Sequence, residues 1–127
     1  MTTNIDLIKM AKTLNIANFR GVFMKDELKN MTPNENECAI VNCERSDQKG
    51  SHWTSYVKYG KQKYFFCSFG SPIVSEIKEY LGSPILCSNF QIQSFDSSEC
   101  GELCILFLYL MSSGLNYEDI IISMLPN

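Results

Sequence analysis

Residues 99–111 read ECGELCILFLYLM, a run longer than an ordinary strand and apolar on almost every face of a helix. It predicts a central helix covered on all sides by the rest of the fold. Cys100 falls at its N-terminus, where unpaired backbone N–H groups and the positive end of the helix dipole stabilise a thiolate. Cysteine is also among the most buried residue types, so plain core filling competes with that reading. Gly101 shifts the balance, because a small residue there lets a substrate carbonyl come close to the helix end. Cys104, one turn further on, reads as packing.

Outward from this helix the elements are short. Ile5, Ile8 and Leu14 have helical spacing behind Thr3 or Asn4 as N-cap, giving a first helix over 4–14. Residues 38–43 (CAIVNC) suit a buried strand. Residues 52–59 (HWTSYVKY) form a hairpin with 63–68, Gly60 supplying the freedom the turn needs. Pro72 opens a short helix that reaches Leu81 and closes at Gly82. Residues 85–93 read as one or two further strands. Asn116 caps a last helix over 116–125 that Pro126 ends. The polar stretches 25–37 and 44–50 are expected as surface loops, and Lys58, Lys61 and Lys63 as a solvated face.

The chain has 127 residues, 45% hydrophobic and 20% charged, the profile of a single globular domain, and it shows no repeats. A net charge of −3 is a poor footprint for a polyphosphate backbone, so nucleic acid is set aside as a partner. The longest apolar run, 103–111, is about half of what a membrane-spanning helix requires. The opening MTTNIDLIKMAKTL is interrupted by Asp6, Lys9 and Lys12, unlike a signal peptide, which implies an intracellular, reducing compartment. Cys38, Cys43, Cys67, Cys87, Cys100 and Cys104 are therefore expected as free thiols rather than three bridges. No C-x-x-C pair is present and there is one histidine, so neither a metal nor another cofactor is expected.

That histidine, His52, must serve any Cys–His chemistry. A lone histidine is more often structural. Alternation along its strand sends His52, Thr54 and Tyr56 to one face and Trp53, Ser55 and Val57 to the other.

Five segments follow one another in a familiar order: Phe19-Arg20-Gly21-Val22-Phe23, Cys38-Ala39-Ile40-Val41-Asn42, Gly50-Ser51-His52-Trp53, Phe69-Gly70, and Gln93 followed by Cys100-Gly101-Glu102-Leu103-Cys104. In this the sequence resembles the adenovirus maturation endopeptidases (adenains) and their relatives in large DNA transposons and viruses, and more distantly the SUMO-specific proteases. The resemblance implies an α+β, papain-related cysteine protease fold, with a central mostly antiparallel sheet packed against a buried helix carrying the nucleophilic Cys. It implies Cys100 as nucleophile, His52 as its ion-pair partner and proton donor, and Gln93 as a donor to the oxyanion. The family's acid, two residues before Phe-Gly, falls on Cys67, a weak and normally neutral hydrogen-bond acceptor. Ser68, Asp96 and Glu99 match no family position.

The function so implied is a monomeric endopeptidase that processes viral, capsid or transposon structural precursor proteins, in the host cell nucleus or cytoplasm and in the virion. Loss of the acid at Cys67 opens an alternative, a weakened or inactive protease fold kept as a binding module. The wider resemblance opens another, an isopeptidase for ubiquitin-like modifiers.

Overall fold

In the computed structural model, which describes residues 2–47, 52–88, 90–92 and 99–125, Thr3 starts the first helix, α1 (Asn4–Thr13). Its hydroxyl accepts the Asp6 N–H while the Asp6 carboxylate accepts the Thr3 N–H, so two otherwise orphaned donors are satisfied together. Strand β1 (Phe19–Met24) runs into a 3-10 helix over Lys25–Asn30. Then come β2 (Asn36–Asn42), β3 (Trp53–Tyr59), β4 (Gln62–Phe66), α2 (Ser75–Leu81), β5 (Leu86–Cys87), α3 (Cys100–Ser112) and α4 (Tyr117–Met124). Gly60, at φ +59°, turns the chain between β3 and β4, and Tyr59 pairs with Gln62.

The five strands lie in the order β1-β2-β3-β4-β5. The expected antiparallel pairing holds for the three middle strands only, since β1 runs parallel to β2 and β5 parallel to β4. The sheet is therefore mixed. Parallel neighbours need a crossover connection, and the 3-10 helix and α2 provide the two crossovers.

Each face of the sheet has its own core. Helices α1, α3 and α4 cover one face, packing Leu7, Phe107 and Ile120 over Ile40, Val57 and Phe66. The 3-10 helix and α2 cover the other, placing Leu28 and Ile77 over Val41, Tyr56 and Phe65.

Several expectations need correction. Helix α3 is not covered all round, for Glu102, Leu106 and Tyr109 form an outward stripe, with Leu106 42% and Tyr109 40% exposed. The sheet, α1 and α4 occupy its other sides. The segment 25–37 is not a surface loop throughout, because it holds the 3-10 helix and delivers Glu37, 1% exposed, into β2. Helix α2 begins at Ser75 rather than Pro72, after an extended Val74 at φ −72° and ψ 147°, and Ile73 and Val74 pack into the second core instead. Lys58 donates to the Asn34 and Glu35 carbonyls and Lys63 to the Gly82 carbonyl, which leaves Lys61 as the exposed member of that trio. The described part of 85–93 contains the single short strand β5.

Candidate active site

Cys100 is the first residue of α3, following Glu99, whose side chain makes no capping bond. Cys100 is 5% exposed, and its sulfur accepts the backbone N–H of Trp53 at 3.5 Å. Both the helix end and that N–H present positive partial charge to the sulfur. Trp53 opens β3 and directly follows His52, so the contact brings the nucleophile candidate to the strand end that carries the only imidazole.

His52 is aimed towards the other side of the sheet, as alternation from Thr54 and Tyr56 predicts. Its ring stacks on Phe69 with centroids 4.5 Å apart and planes 20° apart. Its Nε2 lies 3.2 Å from Sγ of Cys67, which follows β4 and is 2% exposed. Nδ1 is buried and has no hydrogen-bond partner among the described residues. Burial holds the His52 pKa below its ordinary 6.5, which favours the neutral ring over imidazolium. Neutral imidazole has one ring nitrogen able to take a proton.

Gly101 has a different role from the one its size suggests. A β-carbon there would come within 3.1 Å of Leu7 Cδ2 and 3.3 Å of Trp53 Cδ1. The missing side chain thus makes room for α1 and the Trp53 ring to close against the start of α3. Thr2, just ahead of α1, adds a hydrogen bond from its hydroxyl to Glu102.

Of the site residues expected from sequence, the structure brings His52 and Cys67 into contact and ties Cys100 to the residue beside His52. Gln93 lies outside the described residues, as do Gly50, Ser51 and Asp96. Sequence reasoning assigned no role to Phe69 or to the Trp53 backbone. Phe69 stood in the quoted Phe-Gly motif, so a signal existed, whereas a backbone donor leaves none.

Burial governs three of the other thiols. Burial pushes Cys38 up to about 12 and Cys43 up to about 11, and raises Cys104 well above the ordinary thiol value. Thiols held protonated in this way are poor nucleophiles. Cys87 is the exposed one. No group of three metal-ligating side chains converges among the described residues, and no described helix is long and apolar enough to cross a membrane.

No protein-family model matches the sequence, and no curated protein matches it. Among solved structures, the chain is similar to the crystal structure of the ASFV pS273R protease, with a TM-score of 0.69 over 95% of this chain at 14% identity. A selenomethionine crystal structure of the same ASFV protease matches with a TM-score of 0.51 over 70% of this chain at 16% identity. The chain spans about three-fifths of the length of that protease, 61% of it in the fuller match. Backbone likeness at this identity speaks to architecture, and the architecture is the α+β, papain-related cysteine protease fold, with a mixed central sheet and the helix beginning at Cys100 packed against it.

Proposed function

We propose that the chain is a cysteine endopeptidase in which Cys100 attacks the scissile carbonyl. The supporting observation is the placement of Cys100 in the first turn of α3, against the N–H of the residue that follows His52. His52, kept neutral by burial, takes the thiol proton as the C–S bond forms and returns it to the leaving amine. Water, activated by the same imidazole, then hydrolyses the thioester. Gln93 donates its side-chain amide to the oxyanion, a role carried by the family resemblance. Loss of one such donor typically costs about 10²–10³ in turnover. The substrates are structural precursor proteins of a virus or large transposon.

The test is site-selective alkylation. Cys87 is exposed and labels on its own account, so the experiment uses the full chain carrying Cys87→Ser. Iodoacetamide at neutral pH labels Cys100 ahead of the other thiols, and His52→Ala removes that preference together with peptide cleavage. Slow, even labelling that ignores His52 defeats the reading.

One observation favours a second reading, a weak or inactive protease fold serving as a binding module: a thiol stands beside His52 Nε2 where a carboxylate would hold it. Peptide turnover no faster than that of Cys100→Ala would establish that reading. Capture by a ubiquitin-like C-terminal probe would instead redirect the substrate class to modified proteins.

A further inference from the structure

We propose that Cys67 is the positioning residue of this site, its sulfur accepting the Nε2 proton of His52 and so leaving Nδ1 as the nitrogen that receives the Cys100 proton. The inference rests on the Cys100–His52 reading and adds to it the identity of the group that chooses the tautomer.

Three observations converge. Nε2 and Cys67 Sγ are 3.2 Å apart, close enough to share one proton. The Phe69 ring lies flat against the imidazole, which restrains it from turning away from that contact. Nδ1 is buried with no hydrogen-bond partner among the described residues. A neutral imidazole carries one N–H, on either nitrogen. Placed on Nδ1, it would be a donor stripped of water with nothing in return, the costly arrangement for a buried polar group. Placed on Nε2, it meets sulfur, and Nδ1 keeps its lone pair.

Cys67 is 2% exposed, so bulk water does not replace the sulfur in this contact. Sulfur performs the task less firmly than a carboxylate. A carboxylate only accepts, whereas a thiol also donates and can turn its own S–H towards Nε2, which would force the proton onto Nδ1. The tautomer is therefore biased rather than locked, and a carboxylate at position 67 is the conservative replacement in function though not in chemistry.

The single histidine makes the test direct, since ¹⁵N-histidine labelling of the full chain yields one pair of ring signals. At neutral pH the native spectrum shows Nε2 protonated and Nδ1 bare. Cys67→Ala moves both signals towards a mixture of tautomers, and Cys67→Asp restores the protonated Nε2. In the Cys87→Ser background, Cys100 alkylation slows by roughly 10–100-fold in Cys67→Ala, less than the ~10⁴ lost when a serine triad's carboxylate no longer fixes its histidine, and Cys67→Asp recovers it. A protonated Nδ1 in the native chain overturns the proposal, as do ring signals that Cys67→Ala leaves unmoved. The native spectrum decides even where a variant fails to fold. Failure of the underlying reading is seen separately, as Cys100 alkylation indifferent to His52→Ala.

Discussion

The two faces of the sheet solve the problem of burial in opposite ways. Under α3 the packing is apolar and aromatic: Phe66 and Phe107 stack at 4.7 Å, and Tyr117 meets Phe107 edge-on while its hydroxyl donates to the Phe65 carbonyl. Under α2 a carboxylate is buried. Glu37 accepts from the Tyr56 hydroxyl at 2.5 Å, the Tyr80 hydroxyl at 3.0 Å, Arg20 at 3.1 Å and the Asn34 N–H at 2.6 Å. Cys100 comes from the first face, and the contacts of His52 with Cys67 and Phe69 belong to the second. The candidate site thus draws on both faces at the start of β3, at the opposite end of the strand from the Glu37 cluster, where Glu37 pairs with Lys58.

The largest effect expected from breaking this contrast is on the dry face. Phe107→Ala removes the partner of Phe66 from a site that is 0% exposed and should cost about 3–5 kcal/mol in urea unfolding. A loss below about 1 kcal/mol would mean that the face is far less tightly packed than it looks.

Glu37→Ala comes next. It takes the acceptor from the Tyr56 hydroxyl and the Asn34 N–H and the counter-charge from Arg20, while the Tyr80 hydroxyl still accepts from Arg20, which also keeps the Thr32 carbonyl and, at 27% exposed, some water. The expected cost is about 2–3 kcal/mol, partly recovered by Glu37→Gln, which preserves the shape and one acceptor. If Glu37→Gln is as damaging as Glu37→Ala, the negative charge and not the hydrogen-bond count holds this face together.

A smaller effect tests the meeting point. Because burial lowers the His52 pKa below 6.5, the unfolded chain takes up the ring proton first as pH falls. The stabilising contribution is whole above 6.5 and is lost as pH drops from there towards the folded value. The urea midpoint of the native chain should therefore decline relative to that of His52→Gln between about pH 7.5 and about pH 5.5. A constant gap would show that folding leaves the imidazole no less able to charge.

The smallest change is Gly101→Ala. Relief of glycine's entropic cost in a helix favours the variant by about 0.5–1 kcal/mol, and crowding against Leu7 and Trp53 opposes it. The melting temperature should move little while Cys100 alkylation changes, because α1 and Trp53 must shift to admit the methyl group. Altered stability with unchanged alkylation would separate this packing from the site.

Local pattern accounts for what was legible in advance. The apolar run of α3, the CAIVNC strand, the hairpin turned at Gly60 and the Asn116 cap, which accepts the Glu118 and Asp119 N–H groups, are each written within a few adjacent residues. The parallel edges were not legible, because pairing of β1 with β2 depends on a crossover and not on either strand's own sequence. Glu37 misled for a related reason: its polarity says surface until three separate elements bring Arg20, Tyr56 and Tyr80 to it. At the site, Cys100 and His52 stood out by helix position and by scarcity. The resemblance put Cys67 at the family's acid position, but the order of residues does not show whether a sulfur placed there reaches the imidazole, which the 3.2 Å separation does.

Trp53 turns the closeness of these parts into something visible. It is the chain's sole tryptophan, 6% exposed, with its backbone on the Cys100 sulfur and its indole against the place where Gly101 lacks a side chain. Its emission is thus a built-in optical gauge, sensitive both to the release of α1 on unfolding and to whatever becomes attached to Cys100, with no label added.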